Sequence, residues 1–309
     1  MEVLRRLPES WAGLAGSLGG PTEERAWSQS AVEALGLDVH AVAVDGALAP
    51  LAAFGGRLEQ AAAPLYEPVD LLWRDTSSLE ELAHTLARLQ WPLLLRRLPA
   101  ESPATRALRR SFVRGYVVER DAGSCPVIDP KLGLSRRLRS DLRRARRRAE
   151  ALGAVELEVS ASADALEEAF RVEAAGWKGR QGTALLDDPP RADFYRRYGR
   201  AAEANGALRV ALLRIGGRPA AMQVAVERDG ALWLLKIGYD DEFARCSPGH
   251  LLLEQIVALG LRVELLGTSA SWTRAWTLEE RACVTLAAYP RSLASVKVLG
   301  RDALRRLRR

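Results

Sequence analysis

Three apolar runs joined by two tight turns constrain this chain more than any other feature. Leu208 to Ile215, Pro219 to Glu227 and Ala231 to Gly238 are rich in residues that favour strands, with Gly216-Gly217 and Asp229-Gly230 between them. Such dipeptides adopt the positive φ angles of two-residue hairpin loops, so the stretch predicts a three-stranded antiparallel meander. Before it, Val155 to Val159 alternates as a strand and Ala163 to Ala175 reads as a helix. A glycine-rich loop follows from Gly176 to Thr183, then a helix from about Ala192 to Ala204. After the meander come a loop (Tyr239 to Pro248), a helix (Gly249 to Leu259), a strand (Arg262 to Leu265), a short helix around Trp272 to Thr277 and a last strand (Ala282 to Ala288).

The N-terminal half is patterned less regularly, and its first 30 or so residues hardly at all. Val39 to Val44 predicts a strand, Asp45-Gly46 a turn and Leu48 to Phe54 the returning strand. Ser77 or Ser78 is placed to cap a helix whose apolar face holds Leu79, Leu82, Leu86 and Leu89. Pro92 to Leu98 predicts a buried strand, and Pro103 fits the first position of a short helix from Ser102 to Arg110. A loop with Gly123, Pro126 and Pro130 is expected next. No catalytic signature stands out in this half.

Between the halves lies an arginine-rich helix, expected from Ser135 to Leu152, with eight arginines between Arg136 and Arg148. Leu134, Leu138, Leu142, Ala145, Ala149 and Leu152 give it one apolar face. It reads either as a connecting helix with a solvated arginine face or as a docking surface for anionic lipid or polymer. Its lack of interleaved aromatics weakens a nucleic-acid reading. The net charge of +6 reflects either the arginine codons of a GC-rich genome, the reading favoured by the 39 acidic residues beside it, or an anionic partner such as CoA phosphates, lipid headgroups or RNA.

Cys125, Cys246 and Cys283 are far apart, as are His40, His84 and His250, so neither a disulfide framework nor a zinc site is expected. No run approaches the roughly 18 apolar residues of a membrane span, and the N-terminus lacks the apolar core of a signal peptide. A cytoplasmic protein is expected, with peripheral contact at the inner membrane face through the arginine helix as an option.

The most informative local pattern is Lys236-Ile237-Gly238-Tyr239-Asp240 followed by Arg245-Cys246-Ser247-Pro248-Gly249-His250-Leu251. A strand ends, a polar loop follows and a helix begins. Free backbone N–H groups at a helix start, with the helix dipole behind them, form an anion site, and Gly249 lets a phosphate approach closely. Together with the element order, this turn resembles the Gcn5-related (GNAT) acyltransferase fold over about residues 154 to 290. In that family the corresponding turn, R/Q-x-x-G-x-G/A, grips the CoA pyrophosphate. Here Arg245 is followed by Cys-Ser-Pro-Gly-His, so Gly249 is the good match. Gly176-Trp177-Lys178-Gly179, Gly182-Thr183-Ala184, Phe194-Tyr195, Leu266-Gly267 and Trp272 extend the likeness to the CelD/BcsL-type acetyltransferases, whose domain is also called BioF2-like, distant relatives of the Fem aminoacyl transferases. Those proteins often carry a lysine after the last aromatic, where this chain has Thr273 and Arg274.

The resemblance implies an α/β (α+β) GNAT fold, a mixed twisted central sheet flanked by helices, with two GNAT-like lobes. Its domains would be a degenerate N-terminal lobe (1–125), the basic connecting helix (126–153) and a catalytic domain (154–309). It implies acetyl-CoA or acyl-CoA as co-substrate, no metal, and direct transfer to an amine or hydroxyl of a cell-envelope sugar, polysaccharide precursor or amino-lipid. Nucleic acid is not expected as a partner. The alternatives are a Fem-like aminoacyl-tRNA-dependent transferase, against which the chain leaves no room for the long helical hairpin of Fem proteins, and a non-catalytic GNAT shell.

Asp240 is the first choice for general base, with Asp241 close behind, against a loop-capping role for Asp240. Tyr239 is the candidate proton donor to the leaving thiolate, or else a half-buried aromatic. Lys236 either contacts a substrate or faces solvent. Arg245, Ser247, Gly249 and His250 are expected at the cofactor, although a histidine in a first helical turn is more often a surface residue. Trp177 and Lys178 are expected at the acceptor, unless Trp177 only anchors the loop. Cys246 lacks the His-Asp partners of a thiol nucleophile.

Overall fold

A computed structural model describes residues 2–9 and 11–307, with side chains for 3–9 and 11–302. The chain falls into two compact units, Met1–Gly123 with Arg281–Arg309, and Ser124–Glu280. It passes between them inside two strands, β8 and β14, defined below.

The first unit contains β1 (Glu2–Leu4), α1 (Arg25–Leu35), β2 (Ala41–Val44), β3 (Ala47–Ala49), β4 (Leu51–Phe54), β5 (Arg57–Gln60), β6 (Leu72–Trp73), α2 (Thr76–Arg88), β7 (Leu93–Pro99), α3 (Pro103–Ser111) and most of β8 (Gly115–Ile128). The strand expected from Leu48 to Phe54 is broken at Pro50, which has no N–H for a ladder. As a result β3 pairs with β2 and β6, while β4 pairs with β5. Asp75, rather than Ser77 or Ser78, caps α2: its carboxylate takes the Ser78 N–H at 2.8 Å, and the Ser78 hydroxyl takes the Asp75 N–H in return. Of the loop expected around Gly123, Pro126 and Pro130, the part up to Ile128 is the end of the long strand β8, whose central run of charges and glycine hides the strand pattern, and Pro130 opens a 3-10 turn.

The second unit begins with the end of β8 and continues through α4 (Arg136–Glu150), β9 (Val155–Ser160), α5 (Leu166–Ala174), the single turn α6 (Trp177–Arg180), α7 (Pro189–Ala204), β10 (Leu208–Ile215), β11 (Arg218–Arg228), β12 (Ala231–Tyr239), a 3-10 segment (Asp241–Cys246), α8 (Pro248–Val257) and β13 (Arg262–Leu265). The remaining elements, β14 (Glu280–Pro290) and α9 (Leu293–Leu307), lie mainly in the first unit, where β14 pairs antiparallel with β7.

In the second unit β9, β10, β11 and β12 are antiparallel neighbours, as the two turns predict, and β13 adds to β12 in parallel. The end of β8 lies beside β13, pairing Ile128 with Val263. Ala211, Leu213, Ile215, Leu232 and Leu234 face α8 and α4, which bury Leu251, Leu252, Ile256, Leu138 and Leu142 against them. On the other face Phe170 of α5 and Phe194 and Tyr195 of α7 are fully buried. Leu138, Leu142, Ala145 and Ala149 of the arginine helix are therefore core and Leu134 packs against it, whereas Leu152, beyond the end of α4, is 60% exposed; seven of the eight arginines line the outside.

Two irregularities shape the functional region. The β11–β12 register shifts between Val224, opposite Lys236, and Ala225, opposite Leu234, so Leu235 is an extra residue in β12. Before this bulge Leu232 and Leu234 face α8; after it Ile237 and Tyr239 do. The second irregularity is the end of β13: its pairing stops at Leu234–Leu265, while β12 runs on to Tyr239. The two parallel strands part there.

Candidate functional site

A cavity of about 470 Å³ opens where β12 leaves β13, between the start of α8 and the turn α6. Of the residues singled out from sequence, Trp177, Lys178, Tyr239, Ser247, Gly249 and His250 line it. Trp272, part of the same resemblance, lines it as well.

Asp240, Lys236 and Arg245 are not among its lining residues. Asp240 caps the 3-10 segment, its carboxylate accepting the Glu242 N–H at 2.9 Å. Asp241 pairs with Arg180. The bulge turns Lys236 to the other face of the sheet, where its ammonium lies 5.1 Å from the Tyr195 ring centroid. The Arg245 side chain is exposed, and its carbonyl accepts a 2.6 Å bond from Arg148 Nε, tying α4 to the loop before α8. Among the described residues no carboxylate lines the cavity, and no group of His, Cys, Asp and Glu is arranged to hold a metal.

The start of α8 is an unusual helix entry. Ser247 is its N-cap, but in the left-handed conformation (φ 49°, ψ 52°), and its hydroxyl makes no capping bond. Pro248 has no N–H to give, so the helix presents Gly249 N–H and the Ser247 hydroxyl to the cavity. A Cβ on Gly249 would lie 3.7 Å from the Tyr239 ring, in ordinary contact. Gly249 is thus not required by the protein's own packing, and larger side chains there project into the cavity.

The stretch that reads in sequence as a flexible glycine-rich loop is tightly built. A Cβ at Gly176 would come within 2.3 Å of the Tyr239 carbonyl oxygen, and one at Gly238 within 2.9 Å of the Glu173 backbone. These glycines let the end of α5 press onto β12. Lys178, held there, donates to Glu173 Oε1 at 2.6 Å and to the Ile237 carbonyl at 2.8 Å. Glu173 is 2% exposed, and its other oxygen accepts the Leu185 N–H at 2.9 Å. An ammonium has three donors; the third is left for a ligand in the cavity.

His250 is equally fixed. Trp276 Nε1 donates to His250 Nδ1 at 2.9 Å, and the Trp272 ring meets the imidazole edge-on at 6.1 Å. Because an indole only donates, Nδ1 holds a lone pair and the proton of the neutral ring sits on Nε2. Burial pushes the imidazole below its ordinary value of 6.5, partly opposed by the Asp141 carboxylate on α4. His250 is therefore a neutral hydrogen-bond donor near pH 7, not a base.

Gln223 was not found from sequence, where it is one polar residue in an apolar strand. It lies on β11 opposite Ile237, is 4% exposed, lines the cavity, and its side-chain oxygen has no hydrogen-bond partner. A buried orphan acceptor destabilises a fold, and a ligand N–H is a natural remedy. Gln223→Leu is expected to raise stability by about 1 kcal/mol while lowering affinity for the substrate. Denaturant unfolding beside KM measurements checks this; a variant with unchanged KM rules out the binding role.

Residues 136–265, from the start of α4 to the end of β13, match the family model described as acetyltransferase (GNAT) domain. Over those residues, which hold the parted strands and the start of α8, the chain matches a GNAT-type acetyltransferase domain. Among solved structures, L-PGS from Bacillus licheniformis is similar at a TM-score of 0.58 and 18% identity, over 89% of this chain and 95% of that one. FemX is similar at 0.60 and 10% identity, over 88% and 92%. These likenesses extend the shared fold to both units. No curated protein sequence matches the chain.

Proposed function

We propose that the protein is an acyl-CoA-dependent N- or O-acyltransferase of the CelD/BcsL type, using the cavity at the start of α8. The observation that carries this is the convergence on one cavity of an anion-ready helix start (Ser247, Gly249), a neutral donor histidine and a pinned lysine. The CoA pyrophosphate lies on the Gly249 N–H and Ser247 hydroxyl, within reach of the exposed Arg245 and Arg148 on the outside. The thioester sits where β12 and β13 part. An acceptor amine or hydroxyl attacks its carbonyl carbon; the new C–N or C–O bond forms as charge gathers on the carbonyl oxygen. His250 Nε2–H and the third Lys178 N–H stabilise that oxygen. The C–S bond then breaks, and the thiolate takes a proton from Tyr239, which regains the one the acceptor releases through water. Asp240 is given a structural part, capping the turn that aims α8. Trp177 and Gln223 select the acceptor, in this reading an amine or hydroxyl of an envelope sugar, polysaccharide precursor or amino-lipid.

A second reading, an aminoacyl-tRNA donor, is favoured by one observation. Of the eight arginines of α4, seven are exposed, beside the start of α8. The fold shared with FemX and L-PGS is compatible with it.

Thermal unfolding with acetyl-CoA, a long-chain acyl-CoA and CoA separates the two. A ligand at 100 times its dissociation constant adds about 2.7 kcal/mol, so a clear shift that Gly249→Trp abolishes supports the first reading. No shift with any thioester, beside tRNA binding that weakens steeply with salt, supports the second.

A further inference from the structure

The first unit holds a cavity of its own, of about 300 Å³, that acyl transfer does not use. Three arginines line it, from three elements: Arg57 on β5, Arg96 on β7 and Arg301 on α9. Glu59 also lines it, two residues from Arg57 on the same face of β5.

The charges there do not balance. Glu59, 5% exposed, is shared by two of the arginines: Arg57 Nε donates to one oxygen at 2.6 Å and Arg96 Nε to the other at 2.9 Å. Asp302, behind the cavity, accepts Arg57 Nη1 at 2.9 Å and the Tyr289 hydroxyl at 3.0 Å. Two carboxylates thus face three guanidinium groups. Arg301 is in no ion pair among the described residues, and its Nε is buried without a hydrogen-bond partner. Its terminal nitrogens lie against Gly55, where a Cβ would come within 2.8 Å of one of them. The glycine, at φ +52°, leaves room for the guanidinium to lie over the β4–β5 turn. A buried donor without a partner costs stability, and an anion in the cavity would supply that partner.

We propose that this cavity binds a phosphate monoester, its dianion bridging the free edges of Arg96 and Arg301. The paired donors of a guanidinium match phosphate oxygens two at a time, and a dianion more than cancels the excess charge. The cavity is several times larger than a bare phosphate, and Phe54 and Tyr66 line the rest of it, so the organic part of the ester rests on their rings. Since Arg301 belongs to α9, the ligand also fastens that helix to the sheet, alongside the Arg57–Asp302 pair and Val298, which is buried against Leu94 and Tyr289.

The test is calorimetric titration of the full-length protein with inorganic phosphate, with AMP and with phosphatidylcholine vesicles containing phosphatidic acid, all at matched ionic strength. Arg96→Ala and Arg301→Ala are the variants; Arg57, buried between two carboxylates, is left intact so that the fold is kept. Saturable binding weakened about tenfold or more (1.4 kcal/mol) by each variant supports the site. AMP binding names a soluble ester as ligand, and vesicle binding alone names a lipid headgroup. Binding that survives Gly249→Trp separates this site from the start of α8. No saturable binding of any probe, or binding unchanged in both variants, overturns the proposal.

Discussion

Glu173→Ala is expected to cost about 3 kcal/mol of stability, because it strips a buried ion pair of one partner, and to reduce acyl transfer to near background. The carboxylate does two things at once. It neutralises Lys178 and accepts the Leu185 N–H. Without it Lys178, with a side chain only 20% exposed, must desolvate unpaired or swing out of the cavity. The double variant Glu173→Leu/Lys178→Met separates stability from function. Removing both charges restores part of the stability, because no charge is left alone although the buried Leu185 N–H still lacks its acceptor, while activity stays lost. Urea unfolding and turnover on the three proteins decide it. If the double variant is as active as the native protein, Lys178 has no part in the chemistry.

His250→Gln is expected to lower kcat about 100-fold, the usual cost of one oxyanion donor, with a small change in stability. Trp276→Phe should act through the histidine. It keeps a ring in the buried position and removes the N–H that fixes the tautomer. Burial already holds the imidazole below 6.5, so the native rate stays level as pH falls through 6.5 and drops only at lower pH. Losing the indole donor, which favours neutral Nδ1, moves that acid limb upward toward 6.5. The linkage to stability has the same sign. A histidine depressed in the folded state contributes stability that is present above 6.5 and is lost as pH falls from there through its folded value. A pH–rate profile identical in both proteins, with kcat unchanged in His250→Gln, would remove the histidine from the mechanism.

The fold of the second unit was largely legible because its signals are local. The turns at Gly216-Gly217 and Asp229-Gly230 are fixed by backbone sterics, and the apolar stripe of α4 by helical periodicity. Arg262–Leu265 is a strand within the expected limits. The first unit was less legible for the same reason. The α1 segment interrupts its apolar residues with Ser28, Gln29, Ser30 and Glu33, and its burial of Trp27 and Ala31 appears only when the unit closes over it. Strand β8 hides its pattern under charges.

At the site, the sequence determined which residue types stand near the strand–loop–helix turn, since Tyr239, Ser247, Gly249 and His250 are within a dozen positions. Tertiary structure alone decided what each of them does. One extra residue in β12 sends Lys236 to the far face, an outcome set by pairing with β11 rather than by any local preference. Glu173 pins Lys178, Trp276 sets the His250 tautomer, and Gln223 reaches the cavity from the neighbouring strand. Glu173 lies five positions from Lys178, and Trp276 twenty-six from His250. The sequence carries no record of such meetings because a hydrogen bond depends on separation in space, and only the packed sheet and helices fix that.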